Sequence, residues 1–120
     1  MSLRIGVVMD PIATIKPAKD TTLALLLEAQ RRGWTLVYME LGDLYLESGA
    51  AWARQRPLAV KDDPQHWFAL EDGSEAPLSE LDVILMRKDP PFDMEYIYAT
   101  YILERAQFAG TLVVNRPESL

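Results

Sequence analysis

Six residues in two short runs could do chemistry on a small charged substrate. Asp10 and Pro11 follow the apolar run Ile5-Gly6-Val7-Val8-Met9, while Arg87, Lys88, Asp89 and Pro90 follow Asp82-Val83-Ile84-Leu85-Met86. Arg87 can grip a carboxylate through two parallel hydrogen bonds, and Lys88 adds a point charge. Asp89 can receive a substrate ammonium. Asp10 can orient a polar group of the substrate, or it can shape its own loop by accepting from nearby backbone donors. Neighbouring Arg, Lys and Asp can also form a solvated charge cluster and nothing more. Position favours function: Pro90-Pro91 makes a rigid platform at the end of a core strand. Side chains alternate along a strand, so Arg87 and Lys88 cannot both enter one crevice, and Arg87 is read as the inward one.

These residues share an edge only if both runs are strands of one sheet. Each run is apolar enough for a strand buried on both faces, and each stops at Asp-Pro, where proline removes a backbone donor and restricts the residue before it. In open α/β sheets the ligand lies beyond the carboxyl ends of the strands. Residues 3–9 read as a central strand and residues 10–19 as a loop. A helix capped by Asp20 carries Leu23, Leu26, Leu27 and Gln30 on one face and stops at Gly33, before a second strand from Thr35 to Met39. Strand, helix and strand make a right-handed βαβ unit. The middle is more polar. Leu44–Glu47, a Ser48-Gly49 turn and Ala51–Val60 read as an antiparallel hairpin with Pro57 near its far end, and Trp67–Leu70 as a short strand closed by Asp72-Gly73. Leu81–Met86 is a third core strand. Asp93 caps a helix to Ala109, and Thr111–Val114 is a fourth core strand. The fold class is therefore α/β, with a mostly parallel sheet, an antiparallel hairpin insertion and one domain over residues 1–120.

The helix over residues 93–109 is too apolar for an element covering a single sheet face. Met94, Tyr98 and Ile102 share a stripe that Ile97 and Tyr101 widen. Either its own chain buries it all round, or its outer side packs against another subunit. Pro117, Glu118 and Ser119 commonly open a helix, so the last strand leads into what looks like the start of a new element.

Composition removes several classes. With 120 residues, 49% hydrophobic and 25% charged, the chain is globular and buries roughly two thirds of its unfolded surface. A net charge of −6 argues against nucleic acid as a partner. No run reaches membrane-span length and no signal-peptide layout begins the chain, which fits a cytoplasmic protein. Cysteine is absent, so thiolate metal sites and cysteine nucleophiles are excluded. No G-x-G-x-x-G turn or Walker-type loop is present, and His66 cannot build a His-rich metal site or a hydrolase triad in the usual way. Lys16 and Lys19 can approach an anion at the first helix, although such lysines are mostly only solvated. Trp34, Trp52 and Trp67 read as packing residues.

The runs Val8-Met9-Asp10-Pro11-Ile12, Leu26 to Gly33, Tyr38 to Tyr45, Tyr96 to Glu104 and Val114 to Pro117 resemble the N-terminal region of bacterial glutathione synthetases. So does Asp82 to Asp93, whose Met-Arg-Lys-Asp-Pro-Pro-Phe-Asp run is the most specific part. The likeness covers almost the whole chain and is weakest over residues 47–77. It implies a Rossmann-like, three-layer pre-ATP-grasp domain that forms one wall of a substrate cleft. It further implies an ATP-grasp ligase joining γ-glutamylcysteine to glycine through an acyl phosphate. ATP and Mg2+ would bind in C-terminal lobes outside this chain, leaving it without a cofactor and inactive alone. A C-terminal ATP-grasp domain and a homo-oligomer built through the helix at 93–109 are the implied partners. The alternative from another class is a non-catalytic, receiver-like α/β module. Asp10 and Lys88 fit that pattern loosely, but Asp10 lacks an acidic neighbour.

Overall fold

The computed structural model describes residues 2–14, 21–63, 65–87 and 94–115. Apolar residues, with β-branched valine or isoleucine in each strand, suit a pleated buried surface and make up most of β1 (Arg4–Met9), β2 (Thr35–Met39), β7 (Val83–Arg87) and β8 (Leu112–Asn115). All pairings among these four are parallel, in the order β2-β1-β7-β8. Helix α1 (Thr21–Arg31) follows β1, and helix α2 (Met94–Phe108) follows β7.

Alternation along the strands creates two cores. Ile5, Val7, Met9, Leu36 and Tyr38 pack with Leu23, Leu26 and Ala29 of α1. Val8, Val37, Met39, Ile84 and Met86 pack with Ala99, Ile102, Leu103 and Ala106 of α2. The helices therefore lie on opposite faces. One crossover leads from β1 to its neighbour β2, and the other from β7 outward to β8, so a single handedness requires this arrangement. Gly6 sits where two side chains crowd β1: a Cβ there would lie 2.6 Å from Leu81 Cδ1 and 2.7 Å from Met39 Cε.

The polar middle extends the same sheet. β3 (Leu44–Glu47) and β4 (Ala50–Val60) form the expected hairpin. Its turn holds Ser48 at φ 51° and Gly49 at φ 81°, the left-handed pair that matches the twist of two-residue hairpins. The second half of β4 pairs antiparallel with β2, so the hairpin continues the core sheet beyond β2. β5 (Phe68–Leu70) and β6 (Ser74–Pro77) pair with opposite halves of β4. β6 has no counterpart among the strands expected from the sequence, because Ser-Glu-Ala-Pro carries little strand signal and is held by β4.

β4 changes its buried face along its length without changing register. Ala51 and Ala53 join the α2-side core, and Leu58 and Val60 join the α1-side core. Gln30 of α1 fixes the far end of β4: its amide donates to the Val60 carbonyl and accepts from the Val60 N–H at 2.8 Å, imitating a strand partner. The buried face of α2 differs from the expected stripe. Small residues, Ala99 and Ala106, flank Ile102 and Leu103 on the inner side, whereas Met94, Ile97, Tyr98, Tyr101 and Phe108 are exposed. Among the described residues, nothing covers that outer face. No helix there is long and apolar enough to cross a membrane.

Candidate functional site

The strand order reverses direction at β1 and β7, since the α1 crossover departs one way and the α2 crossover the other. A crevice opens at the carboxyl ends of two such strands because the flanking helices diverge. The register puts Met9 opposite Arg87. Asp10, half-buried, and Pro11, exposed, lie just beyond Met9. The two strand tips are thus side by side. Lys88, Asp89 and Pro90 lie outside the described residues, as do Lys16, Lys19 and the expected caps Asp20 and Asp93.

Arg87 continues the alternation that places Val83 and Leu85 on the α1 side of β7. Its Nε donates to Thr22 Oγ1 at 3.0 Å. Thr22 is buried in the first turn of α1, so the guanidinium is tied to the helix start that faces the crevice. A guanidinium at this place can pair with a carboxylate that also approaches the amino end of α1.

The loop after β1 is held from below. The Pro11 carbonyl accepts from the Thr14 N–H at 2.9 Å and from Thr14 Oγ1 at 2.7 Å, closing a tight turn over Ile12–Thr14. Ile12 is buried, and its N–H donates to the Tyr38 hydroxyl at 3.0 Å. That hydroxyl in turn donates to the Glu40 carboxylate. The Glu40 N–H donates to Asp43 Oδ2 at 2.8 Å. A chain of hydrogen bonds therefore runs from the Asp10-Pro11 loop through the end of β2 to the turn that follows it. Burial pushes the Tyr38 phenol above the ordinary tyrosine range, and its bond to the Glu40 carboxylate adds to the shift.

Reading the sequence missed Tyr38, Glu40 and Thr22 as supports of the site. The only signal was that Tyr38 and Glu40 lie at a strand end and Thr22 at a helix start, which nothing in their spacing singles out. It also missed Arg56, which stands opposite Tyr38 on β4 with its Nε buried and lacking a hydrogen-bond partner among the described residues. Those residues include no group of three His, Cys, Asp or Glu able to hold a metal ion.

The Tyr38 network predicts two results. A raised phenol pKa stabilises the fold at every pH below the unfolded tyrosine value of about 10, and this contribution is lost as pH rises through the folded value. Ultraviolet titration should thus show Tyr38 staying neutral until alkaline unfolding, and Tyr38→Phe should remove its contribution to that late step. Denaturant unfolding of the same variant should cost about 1–3 kcal/mol, because the buried Ile12 N–H loses its acceptor. A variant with unchanged stability and an unchanged titration curve would contradict the role given to Tyr38.

The chain matches the family described as prokaryotic glutathione synthetase, N-terminal domain, over residues 3–120. It is 62% identical over 120 residues to glutathione synthetase of Pseudomonas putida, covering all of this chain and 38% of that protein. It is 62% identical over 118 residues to the enzyme of Yersinia pestis, covering 98% of this chain and 37% of the relative. To the enzyme of Escherichia coli K12 it is 60% identical over 118 residues, again 98% of this chain and 37% of the relative. The chain thus spans well under half the length of these curated relatives, and it belongs to the prokaryotic glutathione synthetase N-terminal domain family.

Proposed function

We propose that this chain forms one wall of the substrate cleft of an ATP-dependent ligase that joins γ-glutamylcysteine to glycine. The observation that carries this reading is the juxtaposition of the β1 and β7 tips, with Met9 opposite Arg87. Identity of 60–62% to glutathione synthetases supports the substrate class. In this reading Arg87, steadied by Thr22, takes a substrate carboxylate, and Asp10 orients a polar group from the adjacent strand tip. Pro11 and Pro90 stiffen the two loops, while Lys88 and Asp89 supply the further charges. The ligase reading is preferred to the receiver-like one because Asp10 stands between Met9 and Pro11, without an acidic neighbour.

Among the described residues, the donors do not make a site for ATP and Mg2+. The sequence has no glycine-rich phosphate loop, and the described residues hold no candidate metal cluster. We therefore assign activation of the carboxylate to a C-terminal ATP-grasp domain. A cytoplasmic location accompanies this assignment. The exposed outer face of α2, with Ile97, Tyr98 and Tyr101 in its middle, is assigned to contact between subunits of a homo-oligomer.

Three results are expected. The 120-residue chain should fold yet release no glutathione from γ-glutamylcysteine, glycine and Mg-ATP; ATP-dependent ligation by the pure chain would overturn the division of labour. In the full-length ligase, Arg87→Ala should lower kcat/KM by about 30- to 150-fold, equivalent to about 2–3 kcal/mol for a lost charge-assisted contact. Unchanged kinetics for both substrates would make Arg87 purely structural. Finally, Ile97→Glu with Tyr101→Glu should reduce the mass of the full-length assembly in light scattering, whereas an unaltered mass would remove α2 from the interface.

A further inference from the structure

The sheet face on the α1 side is covered unevenly. α1 packs over β2 and the far half of β4. Across β7 and β8 the same face carries Val83 and Leu85, which are half-buried, then Leu112 and Val114, which are 57% and 41% exposed. Leu25, on the near side of α1, is 46% exposed. A groove of about 360 Å³ runs between α1 and β7, with Leu3, Ile5, Leu25, Trp34, Val83 and Leu85 in its lining. The opposite face of β7 lies under α2, which holds Ile84 and Met86, and Val113 of β8 packs against that same core. Parallel strands are ordinarily covered on both faces, yet among the described residues this pair is covered on one.

We propose that this face receives the polypeptide that follows β8 in the full-length ligase, docking as an amphipathic helix whose apolar stripe fills the groove and lies over Leu112 and Val114. This rests on the ligase reading above. Three observations choose this occupant. The matched family is an N-terminal domain, and the chain spans only 37–38% of its relatives, so most of such a ligase follows these residues. The polypeptide leaves the sheet from β8, the strand that bears the uncovered residues. The groove rim also carries both charge signs. Glu28 pairs with Arg32 at 2.7 Å and with Arg31 at 2.6 Å, and Arg32 lies 5.4 Å from the Trp34 ring centroid. Those arginines hold the Glu28 carboxyl down at about 2, so the rim keeps both signs across the working pH range. A mixed rim around an apolar floor suits the two edges of an amphipathic helix better than a lipid or nucleic-acid surface.

Cysteine accessibility tests this directly, because the chain has no native cysteine. Leu112→Cys and Val114→Cys are made in the 120-residue chain and in the full-length ligase. Maleimide labelling is read by mass spectrometry at the peptide containing each site. Both positions should label rapidly in the short chain and about tenfold or more slowly in the full-length protein, while exposed Glu71→Cys labels equally in both. Equal rates at 112 and 114 would overturn the proposal. Protection that grows with concentration in the short chain would also overturn it, by giving the face to a second copy. Glutathione formation is assayed on the same full-length preparation: protection without ligation keeps the docking surface and rejects the substrate assignment, and ligation without protection does the reverse.

Discussion

β1 pairs in parallel on both sides, with β2 along one edge and β7 along the other, and the placement of both helices and of the candidate edge follows from that double pairing. A strand flanked in this way is buried on both faces, which is why Ile5, Val7, Val8 and Met9 form an uninterrupted apolar run. It also forces the two crossovers apart. α1 must cover one face and α2 the other, and the carboxyl ends of β1 and β7 are left with a gap between diverging helices. Asp10 and Arg87 reach the same edge for this reason, although 76 residues separate them in the chain.

The supports of that edge are polar groups satisfied inside the fold. Arg87 is held by the Thr22 hydroxyl, and the loop after β1 by the Tyr38 hydroxyl, itself bonded to Glu40. Tyr38 occupies a core position with a polar tip, so packing and loop placement depend on one side chain. Precision of this kind suits a cleft wall that must meet a substrate in one orientation. Among the described residues, apolar surface is left on opposite faces, at the outer side of α2 and the β7–β8 side of the sheet.

The parallel strands were legible because their apolar runs and Asp-Pro stops are local signals. The helices were legible as elements, but the buried side of α2 was not. Two alanines, Ala99 and Ala106, join Ile102 and Leu103 in its core contacts, and hydrophobic size pointed also to Met94 and Tyr98, which lie outside. The antiparallel strand β6 escaped notice because Ser74–Pro77 has no strand propensity of its own and is ordered by pairing with β4. At the site, Asp10 and Arg87 could be found from position at strand ends. Thr22, Tyr38 and Glu40 could not, since their relation to the crevice exists only once the sheet order is known.

The adjacency of the β1 and β7 tips can be measured without substrate. In a nuclear Overhauser spectrum of the labelled protein, backbone protons should connect Val7 with Leu85, Val8 with Met86 and Met9 with Arg87 in the pattern of a parallel ladder. That pattern would place both candidate loops on one edge. Contacts shifted in register, an antiparallel pattern, or a β7 paired away from β1 would separate Asp10 from Arg87 and contradict the account.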